Sequence, residues 1–260
     1  MTAMRDARVK PAHDKGEAVA PILALENISK RFGAVIVADG IDLTLNEGEA
    51  LGIIGPNGAG KTSLFGIATG TLAPDAGRVL LAGEDITRLA PEHRCRNGIA
   101  RSFQIPQPFS GMTVFENVVV AAAFGAGERE GAVYERCADL LARCGLAEKA
   151  NKRAGGLTLL DRKRLELARA LATKPRVLLL DEVAGGLTEH ECGALVALIK
   201  DVRASGVSII WIEHVVHALL ATIDRLVVLH GGRFIAEGEP HTVIKSPQVA
   251  EIYMGIAADA

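Results

Sequence analysis

The amino-acid sequence predicts an α/β fold in which a helical segment interrupts a mostly parallel β-sheet. Short apolar strands alternate with helices over residues 22–103 and again over residues 176–236, which is typical of this class. The residues between them, from 113 to about 172, have a mostly helical pattern. Hydrophobic residues make up 49% of the chain but aromatic residues only 4%, so the core must be aliphatic, as buried parallel strands require.

In the first half of the chain, apolar runs bounded by glycine and polar residues predict five strands and two helices. The third strand is fully apolar and runs directly into a glycine-rich turn. The predicted strands are residues 22–28, 41–45, 50–54, 78–81 and 98–103, and the helices are residues 61–69 and a short one near 91–96.

The helical segment begins after Pro106 and Pro108, which break the chain. Residues 113–116 read Thr-Val-Phe-Glu and match a capping box. A helix over residues 132–144 is expected to end at Gly145, and residues 162–172 are rich in good helix formers. Strands are then predicted at 176–180, 207–212, 226–229 and 233–236, with a helix at 189–204 and the last two strands joined by Gly231-Gly232.

Length and charge limit the classes of function. The 260 residues allow one large domain, or a domain that carries a subdomain. The net charge of −2 provides no general basic field for a nucleic-acid partner. The apolar run at 118–124 is far shorter than the roughly 18–20 residues of a membrane helix. Residues 1–20 mix both charge signs without an apolar centre, so we expect a disordered lead-in rather than a secretory signal.

The four cysteines are Cys95, Cys137, Cys144 and Cys192, and no two of them have CxxC spacing. In a chain of this length that is not loop-rich, this distribution favours reduced thiols in a cytosolic protein. Metal binding is the alternative interpretation.

Residues 55–62 read Gly-Pro-Asn-Gly-Ala-Gly-Lys-Thr and match the phosphate-loop pattern G-x-x-x-x-G-K-[ST] in full. Such a loop turns backbone N–H groups and a helix N-terminus toward an anion, while Lys61 neutralises phosphate and Thr62 ligates Mg²⁺. A chance glycine-rich turn beside an exposed lysine is the alternative, but a predicted strand before the loop and a helix after it favour function. The predicted nucleotide contacts are Gly55, Pro56, Asn57, Gly58, Ala59, Gly60, Lys61, Thr62 and Ser63.

Polar residues follow two later apolar strands. Asp181 and Glu182 come after residues 177–180, where parallel strands point toward a ligand crevice. Asp181 there can hold Mg²⁺ through water, and Glu182 can act as the general base on an attacking water. His214 follows the strand at 207–212 and can donate to a γ-phosphate. A charged turn and a surface histidine are the alternative interpretations.

Several stretches together carry a family resemblance. They are residues 30–33 (Lys-Arg-Phe-Gly), 100–104 (Ala-Arg-Ser-Phe-Gln), 112–118 (Met-Thr-Val-Phe-Glu-Asn-Val), 164–169 (Arg-Leu-Glu-Leu-Ala-Arg), 212–216 (Ile-Glu-His-Val-Val) and 253–255 (Tyr-Met-Gly). With the phosphate loop, they make residues 22–255 resemble the ATP-binding subunits of ABC transporters, most of all the Liv-type importers of branched-chain amino acids. The resemblance implies a P-loop NTPase core of ABC type, with an antiparallel β portion and a helical subdomain insert. We therefore expect an ABC ATPase domain at 21–255, with the helical subdomain at about 105–165.

The same resemblance implies roles for three more residues. Phe32 falls where the family stacks an aromatic ring on adenine, although a core phenylalanine is the alternative. Gln104 falls at the Q-loop, whose glutamine approaches Mg²⁺ and the attacking water and couples the site to a membrane partner. Thr158 falls in the family's signature, where it would contact the nucleotide of the opposite subunit.

The signature segment, residues 157–161, departs from the family pattern. It reads Leu-Thr-Leu-Leu-Asp where the family usually has Leu-Ser-x-Gly-Gln. Thr158 keeps a hydroxyl, but Leu160 replaces the glycine whose backbone approaches the γ-phosphate. Val183 and Thr188 also stand where proline and aspartate are usual. The replacement of glycine by Leu160 puts the strength of binding at the signature segment in question, whereas the changes at Val183 and Thr188 are modest.

The resemblance implies a motor subunit that uses ATP and Mg²⁺ at the cytoplasmic face of the membrane. Its expected partners are transmembrane permease subunits, a second ATPase subunit that is either identical or paralogous, and indirectly a periplasmic solute-binding protein. Branched-chain amino acids are the default solute, with urea, short amides, and aromatic or dicarboxylic acids open. The alternatives are a weakly hydrolysing regulatory subunit and a soluble ABC-type ATPase of DNA repair or translation.

Overall fold

We describe a computed structural model of the chain, which covers residues 20–254. The predicted lead-in lies outside the described residues except for Ala20, and so does Gly255 at the end of the predicted domain.

Within residues 20–254 the chain forms ten strands and nine α-helices. The strands are β1 (Leu23–Phe32), β2 (Val35–Leu45), β3 (Ala50–Ile54), β4 (Ala76–Leu81), β5 (Glu84–Asp85), β6 (Ile99–Ser102), β7 (Val177–Asp181), β8 (Ser208–Ile212), β9 (Arg225–His230) and β10 (Arg233–Gly238). The helices are α1 (Lys61–Thr69), α2 (Pro91–Arg96), α3 (Val114–Val120), α4 (Tyr134–Arg143), α5 (Leu159–Ala172), α6 (Glu189–Ala204), α7 (Val216–Leu220), α8 (Pro240–Ile244) and α9 (Pro247–Met254).

The strands form two sheets. The larger has six strands in the order β10-β9-β3-β8-β7-β6 and is parallel except for β10, which pairs antiparallel with β9. The smaller is an antiparallel sheet of four strands in the order β2-β1-β4-β5. This mixed architecture confirms the predicted fold class, including its antiparallel portion.

The six-stranded sheet is the middle layer of the molecule. Successive residues of a strand point to opposite faces, so β7 divides its side chains between two cores. Leu178 and Leu180 pack with the apolar side chains of helices α3 to α6. Val177 and Leu179 pack with α1 and with the antiparallel sheet. Both faces are therefore covered, which explains why the strand is apolar throughout.

Parallel pairing brings the carboxyl ends of β3, β7 and β8 to one edge of the sheet. The loop 55–60 leaves β3 at that edge, the loop 182–188 leaves β7, and residues 213–215 leave β8. The strand β6 also ends there, two residues before Gln104. The topology thus assembles chain segments that are distant in sequence.

Between β6 and β7 the chain is largely helical, as predicted. The capping box at the start of α3 is present: Glu116 N donates to Thr113 Oγ1 at 3.1 Å, and Thr113 N donates to Glu116 Oε2 at 2.7 Å. The helix predicted over 132–144 is α4, which is shorter because residues 130–132 form a 3₁₀ turn. Helix α5 begins three residues earlier than predicted, since Thr158 caps it.

Some elements differ from the sequence predictions. Strand β2 begins at Val35 rather than at residue 41, because irregular pairing with β1 carries the ladder past Asp39 and Gly40. The short elements β5, α7, α8 and α9 were not predicted. They span two to eight residues, which is too short for a hydrophobic period to be recognised.

Candidate active site

The loop between β3 and α1 leaves backbone N–H groups available to a ligand. Gly60 stands at the N-cap of α1 with φ 107° and supplies no side-chain cap, so the first N–H groups of the helix have no capping side chain. A Cβ on Gly60 would lie 2.1 Å from the backbone oxygen of Val37, so only glycine fits there. An uncapped helix N-terminus with this loop before it attracts an anion.

The Lys61 side chain folds back onto the loop that precedes it. Its side chain is buried, and Nζ donates to the backbone oxygens of Gly55 at 2.7 Å and Pro56 at 3.0 Å. Burial lowers the pKa of Lys61, while the nearby carboxylates of Glu182 and Asp181 act in the opposite direction. The ammonium group is therefore a partly desolvated cation beside the loop, where an anionic ligand would gain most from it.

The loop opens onto a cleft of about 320 Å³ that also includes Glu182. Val35 lies in its wall, and Phe32 pairs with Val35 across the turn between β1 and β2. Phe32 is 51% exposed, with Lys30 Nζ 5.5 Å from its ring centroid. It is therefore not a core phenylalanine but an accessible ring beside the cleft. The lining residues are Val35, Val37, Asn57, Gly58, Ala59, Gly60, Lys61, Thr62, Ser63 and Glu182.

Asp181 ends β7 with its side chain almost fully buried. Arg101 Nη2 donates to Asp181 Oδ2 at 2.6 Å, but the buried Oδ1 has no hydrogen-bond partner. Buried polar atoms are rarely left without a partner unless an ion or water completes the site. The orphaned carboxylate oxygen and the exposed Thr62 hydroxyl in the cleft fit the oxygen ligands that Mg²⁺ prefers.

Glu182 is held by two of the predicted catalytic residues. Gln104 Nε2 donates to Glu182 Oε2 at 2.5 Å, and His214 Nε2 lies 2.9 Å from Glu182 Oε1. The backbone of Glu182 is left-handed, with φ 49°, a strained conformation for a residue with a side chain. The structure thus brings Gln104, Glu182 and His214 together beside the phosphate loop. A carboxylate in this place can accept a proton from a water in the cleft.

Two buried charged residues, Lys163 and Glu213, and the partly buried Arg101 complete the surroundings, and none of the three was selected from the sequence. Arg101 binds Asp181, Lys163 Nζ lies 3.4 Å from the backbone oxygen of Glu182, and Glu213 is 1% exposed. Burial lowers the pKa of Lys163, while Glu213 and Glu182 oppose that shift. Arg101 and Glu213 stand near predicted residues in the chain, but only the structure distinguishes them from surface charges.

Thr158 lies apart from the cleft within this chain. It is the N-cap of α5, and its hydroxyl accepts from Asp161 N at 3.3 Å. Asp161 is buried and pairs with Lys149, while Leu160 is half-buried on the first turn of the helix. Thr158 is not among the residues that line the cleft of its own chain, and its contact with the nucleotide of an opposite subunit stays a prediction.

A phosphate loop flanked by acidic residues at neighbouring strand ends defines a P-loop nucleotide-binding protein. Comparison with known proteins identifies the family. A family model described as ABC transporter matches residues 38–185, which is more than half of the chain. The chain belongs to the ABC transporter family and is an ATPase of that class.

Similar proteins are known in several organisms. The high-affinity branched-chain amino acid transport ATP-binding protein BraF of Pseudomonas aeruginosa is 36% identical, and the alignment covers 91% of this chain and 99% of BraF. The corresponding protein LivG of Escherichia coli is 34% identical with the same coverage. These similarities confirm the predicted Liv-type resemblance.

Solved structures agree with the sequence comparison. A nucleotide-free ATP-binding cassette from an ABC transporter superposes with a TM-score of 0.82 at 33% identity, covering 90% of this chain and 99% of that chain. An ATP-binding cassette in its ADP conformation gives a TM-score of 0.83 at 34% identity with the same coverage. Both solved structures are ATP-binding cassettes of ABC transporters, in agreement with the family match.

Over residues 20–254, no helix has both the length and the apolar character needed to cross a membrane. All four cysteines are free, and three of them are buried.

Proposed function

We propose that the chain is the ATP-hydrolysing motor subunit of an ABC importer for branched-chain amino acids or related small polar solutes. The observation that carries this proposal is the position of Glu182 between Gln104 and His214 beside the phosphate loop. The names of BraF and LivG support the choice of solute.

In the proposed mechanism, the loop 55–63 holds the phosphates of ATP through its backbone N–H groups and Lys61, while Phe32 stacks on adenine. Thr62, Asp181 and Gln104 would hold Mg²⁺, which supplies charge neutralisation on the phosphates when bound. The buried, unpartnered Oδ1 of Asp181 supports this assignment.

Glu182 acts as the general base in this proposal. Its carboxylate takes a proton from the attacking water, and its two contacts keep it directed toward the cleft. His214, which lies at the end of β8, donates to the γ-phosphate. Gln104 orients the water and reports the state of the site to the helices that follow it.

We also propose how the subunit is organised and assembled. An ATPase domain at 21–255, with a helical subdomain at about 105–165, would pair head to tail with a second ATPase subunit. Thr158 then contacts the nucleotide of the partner, which fits its absence from the lining of the cleft in its own chain. Transmembrane permease subunits would form the pore at the cytoplasmic face of the membrane, and a periplasmic protein would deliver the solute.

The signature segment favours one second candidate, a regulatory subunit that binds ATP but hydrolyses it weakly. Leu160 adds a branched side chain where the family pattern has glycine, and Asp161 is paired with Lys149 rather than free to bind ligand. Turnover measured alone and with membrane partners separates the two candidates.

The direct test of the proposed site is the substitution Lys61→Ala. We expect the affinity for ATP, measured by calorimetric titration, to fall on the order of 10²-fold or more, because charge-assisted contacts to phosphate are lost. Lys174→Ala is the matched control, since Lys174 is an exposed lysine paired with Glu128. Equal ATP affinity in the Lys61 variant and the parent would contradict the phosphate-loop assignment.

The importer role is tested in cells. Deletion of the gene for this chain should abolish uptake of labelled leucine, isoleucine and valine, and the parent chain should restore it where the Lys61→Ala variant does not. Undiminished uptake of all three in the deletion strain would overturn the choice of solute while leaving the ATPase assignment standing.

A further inference from the structure

Glu213 is the most deeply buried carboxylate beside the proposed catalytic residues. It directly follows β8 and is 1% exposed. Its Oε1 accepts from Ala184 N at 2.6 Å, while its Oε2 accepts from His214 N at 2.9 Å and from Val215 N at 3.3 Å. Backbone N–H groups therefore contact both oxygens of the carboxylate, and the side chain is almost fully shielded from solvent.

These donors come from the two loops that carry the proposed general base and its histidine. Ala184 stands two residues after Glu182 in the loop that follows β7, and His214 stands in the loop that follows β8. The Glu182 N–H also donates to the backbone oxygen of Ile212 at 2.8 Å. One side chain thus ties both loops together at the edge of the sheet.

A strained backbone persists only where its surroundings fix it. Glu182 has a left-handed backbone, and the hydrogen bond that Ala184 N donates to Glu213 fixes the chain immediately after it. The hydrogen bond that His214 N donates to Glu213 fixes the backbone from which the imidazole extends. The resulting separation of His214 Nε2 and Glu182 Oε1 is 2.9 Å.

Lys163 supplies the opposite charge for this buried carboxylate. It extends from α5, is 5% exposed, and interacts electrostatically with both Glu213 and Glu182. Its Nζ lies 3.4 Å from the backbone oxygen of Glu182. The buried acidic group therefore has hydrogen-bond donors and a nearby basic side chain, which together offset its loss of contact with water.

We infer that Glu213 is a positioning residue for ATP hydrolysis, which holds the loops of Glu182 and His214 in the arrangement that the reaction needs. This inference rests on the proposed function. Glu213 does not face the cleft, so it acts through Glu182 and His214 and not on the nucleotide.

The test is Glu213→Gln in the full chain. Glutamine has the same shape, but its amide nitrogen cannot accept a hydrogen bond, so one of the two loops is released. We expect kcat for ATP hydrolysis to fall on the order of 10- to 100-fold, because a small misplacement of reacting groups has effects of that size. The KM for ATP should change less than about twofold, because the phosphate loop is untouched.

A second measurement does not depend on turnover. Amide hydrogen exchange of the segments around Ala184 and His214 should become faster in the variant, while exchange around the phosphate loop should not. Glu213→Asp, which is one methylene shorter, should not restore kcat because it cannot reach both loops. Full activity of the Asp variant would contradict the inference.

Glu49→Gln is the matched control. Glu49 also accepts a backbone N–H, from Asn46, and also pairs with a cation, Arg225, but it lies away from the cleft. A purely structural role for Glu213 predicts that both variants lose thermal stability without a specific loss of kcat, and that outcome overturns the inference. A parent chain that neither binds nor hydrolyses ATP overturns the proposed function instead.

Discussion

Two helices of this chain begin in opposite ways. Helix α1 has Gly60 at its N-cap, with no side-chain hydrogen bond to its first turn. Helix α5 has Thr158 at its N-cap, and the Thr158 hydroxyl accepts from Asp161 N. The first turn of α5 also carries Leu160, and the Asp161 side chain in that turn is paired with Lys149. The first helix start is left open, while the second is largely satisfied by its own chain.

The difference predicts that the two helix starts bind an anion with different strength. The start of α1, with buried Lys61 beside it, presents uncapped N–H groups and a basic side chain that a phosphate would satisfy. The start of α5 gains less from a phosphate, because one donor is already used and apolar side chains flank the others. We therefore expect the phosphate loop to dominate nucleotide affinity and the signature segment to make a smaller contribution across the subunit interface.

The largest effect is expected on the side of the phosphate loop, at Glu182. If Glu182 is the general base, Glu182→Gln should keep ATP binding and slow hydrolysis on the order of 10²-fold or more. The uncleaved ATP should then hold two subunits together, which light scattering can detect. Glu47→Gln, at an exposed loop position, is the control. Near-normal turnover of the Glu182 variant would remove this residue from the mechanism.

The fold was largely predictable from the sequence because its strands are short, apolar and separated by glycine. Residues 50–54, 61–69 and 189–204 were predicted with the bounds that the structure has. Polar and irregular segments were harder to predict. The start of β2 was missed since its outer residues are exposed and its pairing with β1 is irregular. Within the helical segment, the π-helical residues Ala121–Gly125 and the 3₁₀ turn Glu130–Ala132 have no sequence period that would indicate them.

The site could be predicted from the residues whose type and spacing together indicate one kind of chemistry. The spacing of the phosphate loop is specific, and an acidic pair after an apolar strand gains meaning from it. The buried charges Lys163 and Glu213 and the partly buried Arg101 could not be predicted, because a charged residue in a sequence is usually exposed. Their importance depends on contacts between loops that only the folded sheet edge brings together.

Leu160→Gly, in a chain that also carries Glu182→Gln, tests the contribution of the start of α5. Removing the branched side chain should allow closer approach of the partner's γ-phosphate to the backbone of α5. We expect ATP-driven self-association to tighten about tenfold, the equivalent of about 1.5 kcal/mol for one recovered hydrogen bond to a charged acceptor.

Leu159→Gly is the matched control for that measurement. Leu159 is 44% exposed and precedes Leu160 on the same helical turn, so its removal has the same helix cost of roughly 1 kcal/mol. Self-association should be no tighter in this control than in the parent. If Leu160→Gly also leaves association unchanged, the departure of the signature segment from the family pattern has no mechanistic meaning.

The smallest effect is expected at Thr158, whose hydroxyl has two possible uses. In this chain it caps α5, and loss of a threonine cap costs about 1 kcal/mol of stability. In the proposed dimer it also donates to the partner's nucleotide. Thr158→Ala should therefore lower both the thermal stability and the ATP-driven association, the latter about fivefold for a hydrogen bond worth about 1 kcal/mol.

Thr158→Ser keeps the hydroxyl and should restore both properties. Thr158→Asp caps a helix as well as serine does, but its ionised carboxylate has no hydrogen to donate and repels phosphate, so it should restore stability alone. Full recovery of association by aspartate would mean that Thr158 acts only as a helix cap, and that the nucleotide contact is made by backbone groups alone.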